Sequence, residues 1–365
     1  MKSMARAREA LDLGDQRMLQ ERIEGKWIAA FARTFTLCKV EPGDIVGILS
    51  ETQSRAVNVQ LAELALLQLG ARPFHIVLPT PAQEAPVPVR STGSTHAIGG
   101  LEPVVTALSM ASMVVDCSVE GVMHAPEMHA IRQHGTRILY ISNEHPEALE
   151  RLAADPNMKA RVMRGRQILL NCQDLHVRSE AGTDLHVDMR EAIVGGNVGW
   201  VDEPGQLASW PGGINSCFPK QGAVNGVLVL DEGDINITFK RYIERPISLI
   251  IENDFVEEVR GTGLDADLMR SYFAAWDDRN AYGASHVGWG MNTAARWDAL
   301  VMYDKRDTNG TEQRAFAGNF LYSTGANPSA NRYTLGHFDL PVRNCTIDVD
   351  GRTVIEKGQL LGELR

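Results

Sequence analysis

Two triplets in this sequence set an imidazole and a carboxylate two positions apart: His186-Val187-Asp188 and His337-Phe338-Asp339. Successive side chains of a β-strand point to opposite faces, so residues i and i+2 share one. Each pair can therefore reach a common ion from a strand. A further imidazole stands in AYGASHVGWGMN, where glycines at 283, 288 and 290 flank His286 and allow close backbone packing. His286, His337 and Asp339 together supply two imidazoles and one carboxylate. Such a set holds a mononuclear non-haem Fe(II) on one face and leaves positions open for substrate and O2. Three such ligands also suit catalytic zinc, whereas structural zinc takes four. Spacing alone leaves both metals open, together with an ordinary strand bearing two polar side chains. The His186 triplet, with Asp188, is expected on a sheet surface rather than at a second metal.

The elements that must position these groups change character along the chain. A charged helical segment is expected over about 4–37, then a buried strand in GDIVGIL, a helix over 54–70 and a strand in ARPFHIVLP. Residues 81–100, rich in Pro, Gly, Ser and Thr, read as a long loop, and loops of that length are often functional. A helix near 101–111, a strand over 112–117, a helix from Pro126 to Gly135, a strand over 136–142 and a helical stretch to about 165 follow. This alternation predicts an α/β domain over 1–165, a doubly wound, mostly parallel sheet covered on both faces. Ligands bind such sheets at the carboxyl ends of the strands, and His124 lies in the loop that follows strand 112–117.

From about 167 short strands and turns take over, beginning with RQILLNCQ and continuing through DLHVRSE, GTDLHVDM and ISLIIENDFVEEVRG. The sequences ENDF and VDGR sit where tight hairpin turns would. One helix interrupts at 265–278. Residues 166–365 are expected to form a mainly antiparallel β (α+β) domain that carries the metal-binding residues.

Bulk composition narrows the function classes. The 365 residues carry a net charge of −10, which opposes a nucleic-acid backbone or an anionic membrane as partner and leaves a small molecule. No apolar run approaches the ~18 residues of a spanning helix, and MKSMARAREALDLG lacks the apolar region of a signal peptide, so a cytoplasmic protein is expected. The five cysteines are scattered, odd in number and never at CxxC spacing, so they read as reduced and buried rather than as a zinc knuckle.

GHFDLPVRNCTIDVDGRTVIEKGQL resembles the C-terminal end of the aminopeptidase T-like metallopeptidases. LVLDEGDIN, IIENDFVEEVRGTGLDADLM, GTDLHVD and WPGGINSCFPKQGAVNG resemble further segments of that family, over most of 165–365 and more loosely the first half. Those peptidases hold two metals with two glutamates, two histidines and an aspartate. Where their first glutamate follows Pro-x-Gly, this chain has Ile214 after Trp210-Pro211-Gly212-Gly213. The second falls at His286 and one histidine at Arg314, while His337 and Asp339 remain. A guanidinium cannot ligate a metal.

SHVGWGMN, RAFAGNFLYSTGAN, GHFDLP and DCSVEGVMHAPEMHAIRQHGTRILYI are instead similar to segments of the 2,5-dihydroxypyridine 5,6-dioxygenases, ring-opening enzymes of nicotinate catabolism within the same fold family. This resemblance implies one Fe(II) held by His286, His337 and Asp339, with His124 as catalytic base. Arg314, Ser323 and Met123 are then expected to contact a hydroxypyridine substrate. It further implies O2 as co-substrate, N-formylmaleamate as product and a homo-oligomer. An unperturbed imidazole pKa near ~6.5 would suit His124 to take the hydroxyl proton. The competing readings are a metallo-aminopeptidase, a dioxygenase for another hydroxylated N-heterocycle, and a binding module that kept the fold without the chemistry.

Overall fold

A computed structural model describes residues 22–87 and 94–365. Of the helix expected over about 4–37, Gly25–Leu37 is present; positions 1–21 lie outside the described residues, as do 88–93 of the 81–100 loop.

Five strands form a wholly parallel sheet in the order Arg72–Leu78, Ile45–Glu51, Met113–Asp116, Arg137–Ile141 and Leu207–Trp210. Alternate residues serve its two faces. Val46, Ile48, Met113, Val115, Leu139 and Ile141 share a core with the helices Gly25–Leu37 and Ala56–Gln68. Leu49, Val114 and Ile138 join Val105, Leu108, Met128 and Ile131 of the helices Glu102–Ser109 and Met128–Arg132 on the other side. A sheet covered twice must be apolar at every position, which is why GDIVGIL and SMVVDC read as continuous apolar runs. The fifth strand, Leu207–Trp210, comes from far along the chain, so the polypeptide returns to this sheet after entering the β-rich half.

The segment RQILL, expected as a strand, is the end of the helix Pro156–Leu170. Asp155 caps its start by accepting from Asn157 N, and Pro156 occupies the first helical position. Val162, Gly165, Ile168 and Leu169 then bury one helical stripe, which outweighs the local β-propensity. Gly165 has no alternative: a Cβ there would lie 2.1 Å from Asn215 Oδ1.

The rest is antiparallel. One sheet has eight strands, a small one pairs Ile235–Asn236 with Arg241–Tyr242, and a third has five, in the order Phe338–Val342, Phe320–Thr324, Ala284–Gly290, Ile214–Phe218 and Ile193–Asn197. The expected hairpin turns are present, with left-handed φ at Asn253 and Asp254 (+49° and +78°) and at Asp350 and Gly351 (+48° and +78°). The architecture is thus the α/β sheet plus antiparallel β that the sequence predicts. All five cysteines are buried and reduced. Among the described residues no helix is long and apolar enough to cross a membrane.

Asp116 ends the strand Met113–Asp116 and shapes the loop that carries His124. Its carboxylate accepts from Ser118 N (2.9 Å), Ser118 Oγ (2.6 Å) and Val122 N (2.7 Å). Burial pushes its pKa up to about 6, against the pull of these donors. The folded chain therefore holds this proton more tightly than the unfolded chain. The resulting stabilisation is complete below the ordinary value of 3.8 and is lost as pH rises through about 6. Asp116→Asn is expected to flatten this slope in urea unfolding and, by turning an amide against a donor, to cost about 1–3 kcal/mol. An unchanged pH slope in the variant would show that Asp116 does not titrate there.

Candidate active site

Three neighbouring strands converge the candidate ligands. Ser323 and Asp339 are direct cross-strand partners on Phe320–Thr324 and Phe338–Val342. The register slips between Ala284 and Val287, so Ser285 and His286 together oppose Ser323. A bulge of this kind re-aims a side chain, and here it brings His286 toward Asp339. His337 sits just before its strand on the same side as Asp339, while Phe338 packs the other way against Phe239, Tyr272 and Phe273. Gly325, at φ +118°, lets the two strands approach; a Cβ there would lie 2.5 Å from Gly336 O.

Asp339 is buried between the two imidazoles. His337 Nε2 lies 3.0 Å from Asp339 Oδ2 and His286 Nε2 lies 3.8 Å from Oδ1, with the ring centroids 6.2 Å apart. Arg314 Nε donates to Oδ2 at 2.6 Å, and the Ser323 hydroxyl donates to Oδ1. Ser323 Oγ is also 3.1 Å from His286 Nε2, and Ser285 Oγ is 3.3 Å from His286 Nδ1. The backbone of His337 is pinned. Its carbonyl accepts from Tyr272 OH (2.8 Å) and Thr238 Oγ1 (3.1 Å), and its N–H donates to Tyr272 (3.0 Å).

Burial drives the His286 pKa down to about 4, against the attraction of Asp339. Burial alone would raise the Asp339 carboxyl, but Arg314, His337 and His286 outweigh it and hold the group well below the usual range. A neutral imidazole and an ionised carboxylate are the forms that bind a metal. The donors thus fit a single divalent ion in type and charge.

His124 lies at the end of the loop shaped by Asp116, close enough to His337, Asp339 and His286 to interact electrostatically with all three. Its ring has protein packed around it, yet the residue remains exposed to solvent. Burial first, and then His337, lower its pKa to about 4. The unperturbed value expected from the sequence is therefore corrected: His124 is neutral throughout the neutral range. Met123 is half-buried beside it. A cavity of about 520 Å³ opens along the carboxyl ends of the parallel strands, between Glu51, Thr95 and Glu120 on one side and Trp276 and Leu335 on the other. Its position is the switch point of the parallel sheet, where strand order reverses between Ile45–Glu51 and Met113–Asp116.

Arg314 and Ser323, expected at the substrate, both bond to Asp339. Ile214 packs in an apolar cluster with Ala315 and Leu321, so no carboxylate stands where the peptidases have their first glutamate. Asp188 is taken by Arg190, at 2.8 and 2.7 Å, and does not share an ion with His186.

One residue escaped the sequence reading. Glu144, just beyond the strand Arg137–Ile141, is a buried carboxylate that accepts from the backbone N–H groups of Asn309 (2.8 Å), Gly310 (2.9 Å) and Thr311 (3.1 Å). It thereby fixes the start of the helix Thr311–Ala315, which presents Arg314. Nothing local marks it, since its partners lie more than 160 positions away. Glu144→Gln sets an amide against one of those donors. It is expected to lower stability by about 1–3 kcal/mol in urea unfolding and to reduce turnover; a variant with wild-type stability and rate would dismiss the clamp.

Comparisons with known proteins give the family of the chain. A family model described as 2,5-dihydroxypyridine 5,6-dioxygenase (NicX) matches residues 26–362. The 2,5-dihydroxypyridine 5,6-dioxygenase of Pseudomonas putida KT2440 is 35% identical over 336 residues, which cover 91% of this chain and 95% of that one. The solved structure of 2,5-dihydroxypyridine dioxygenase from Pseudomonas putida KT2440 superposes with a TM-score of 0.88 at 34% identity, over 93% of this chain and 98% of that one. AmpT from Thermus thermophilus superposes with a TM-score of 0.62 at 14% identity, over 92% and 99%, a likeness of fold alone. A match across nearly the whole length, in sequence and in structure, places this chain in the 2,5-dihydroxypyridine 5,6-dioxygenase family.

Proposed function

We propose that this enzyme opens the ring of 2,5-dihydroxypyridine between C5 and C6 with O2, both oxygen atoms entering the product N-formylmaleamate, at a single Fe(II). The observation that carries this reading is Asp339: one buried, ionised carboxylate flanked by two imidazoles, with a guanidinium on the oxygen that also meets His337. His286, His337 and Asp339 would hold the ion. When bound, Fe(II) would supply open coordination positions where an electron-rich ring and O2 can meet.

The chain's own groups prepare that encounter. Arg314 keeps Asp339 ionised and, with Ser323, fixes the direction of its oxygens. The Tyr272 and Thr238 hydroxyls hold the His337 backbone. His124, beside His337 and Asp339, is a neutral imidazole, the form that accepts a proton at a ring nitrogen. Taking the substrate's hydroxyl proton there leaves an anionic, electron-rich ring. Trp276 and Leu335 supply apolar wall against which a flat heterocycle can lie. The peptidase reading finds no support in the same groups, because Ile214 offers no ligand atom and Arg314 cannot bind a cation.

Alanine at His286, His337 or Asp339 is expected to abolish iron retention, counted by plasma emission, and O2 uptake with 2,5-dihydroxypyridine. Full iron stoichiometry in all three variants would overturn the ligand assignment. His124→Ala is expected to retain iron and lose about 10²–10⁴-fold in kcat, and a wild-type rate would remove it as the base. Hydrolysis of Leu-p-nitroanilide by the zinc-loaded chain, with no O2 uptake by the iron-loaded one, would return the peptidase reading.

A further inference from the structure

We propose a second metal site, for a zinc-class divalent ion, formed by His176, Asp184 and His186 on the solvent face of the eight-stranded sheet. The strands Asp174–Arg178 and Asp184–Asp188 are antiparallel neighbours, and His176 and His186 are direct partners across them. Facing partners share a face, and so does Asp184, two residues before His186. The two imidazoles stack, with centroids 3.9 Å apart and planes 11° from parallel. Asp184 Oδ1 lies 2.7 Å from His176 Nε2 and 3.9 Å from His186 Nε2.

Among the described residues this is the one group of three whose ligand atoms all lie within 4.8 Å of one another. Zinc bound tetrahedrally at about 2.0–2.2 Å sets neighbouring donors roughly 3.4 Å apart. The two carboxylate–imidazole distances bracket that spacing, and rotation of the stacked rings about their side-chain bonds would turn both Nε2 lone pairs onto the ion. Asp174 Oδ1 lies 3.8 Å from His186 Nδ1, near enough to serve as an outer carboxylate once the ring turns onto the ion. Two imidazoles and one carboxylate suit zinc better than calcium or magnesium. The fourth position opens to water, since His186 and Asp184 are 55% and 70% exposed. The site belongs to a different sheet from Asp339 and shares no residue with it. The partner of His186 is Asp184 rather than Asp188, because Asp188 is already bonded to Arg190 and Lys220.

The test is equilibrium dialysis of the iron-loaded enzyme against zinc, with both metals counted by plasma emission. One zinc per chain beyond the iron is expected. His176→Asn and His186→Asn should each weaken it by at least about tenfold, with iron content and O2 uptake unchanged. His186 is exposed and His176 half-buried, and asparagine keeps a polar group at each position. The proposal fails if no zinc is retained beyond the iron. It fails equally if zinc only displaces iron, or if both variants keep the zinc as tightly as the wild type.

Discussion

A single buried negative charge organises the centre of this molecule. Asp339 is almost wholly removed from water, and an isolated carboxylate in such a place would protonate. It stays ionised because Arg314, His337, His286 and Ser323 surround it. Breaking a buried pair of this kind costs about 3–5 kcal/mol, so each partner is tied to the others. The same arrangement that stabilises the charge also sets two imidazoles on either side of one anion.

Those partners come from different parts of the chain, so the fold must bring them together. The strands holding His286, Ser323 and Asp339 are adjacent in one sheet. Arg314 sits on a five-residue helix, too short to be stable alone. Its start is held by Glu144, Ser142 bonds Thr311, and Arg151 grips Glu312 with two hydrogen bonds of 2.6 and 2.8 Å. All three anchors belong to the segment that follows the fourth parallel strand. The α/β half therefore does more than supply His124: it braces the element that supplies the guanidinium. The return of strand Leu207–Trp210 to the parallel sheet ties the halves again. The cavity that residues of both halves line lies where the parallel sheet reverses its strand order.

What was legible in the sequence follows from what is local. Alternating elements, apolar runs bounded by Gly and Pro, and the ENDF and VDGR turns depend on neighbours a few residues away, and each appears in the structure. The i, i+2 spacing of His337 and Asp339 is equally local, and both side chains do share a face. The RQILL segment was misread because its strand-like composition was overruled by the cap at Asp155 and by packing against Asn215, fifty residues on.

By itself, then, the sequence determined the fold class, the residue types available for metal chemistry and the family to which they belong. The tertiary structure alone decided that Arg314 and Ser323 turn to Asp339, that His124 is held neutral, that Glu144 clamps the Arg314 helix, and that His186 pairs with His176 and Asp184. Each of these rests on residues brought close by strand pairing and burial, and no spacing along the chain encodes the energy of a charge placed among distant neighbours.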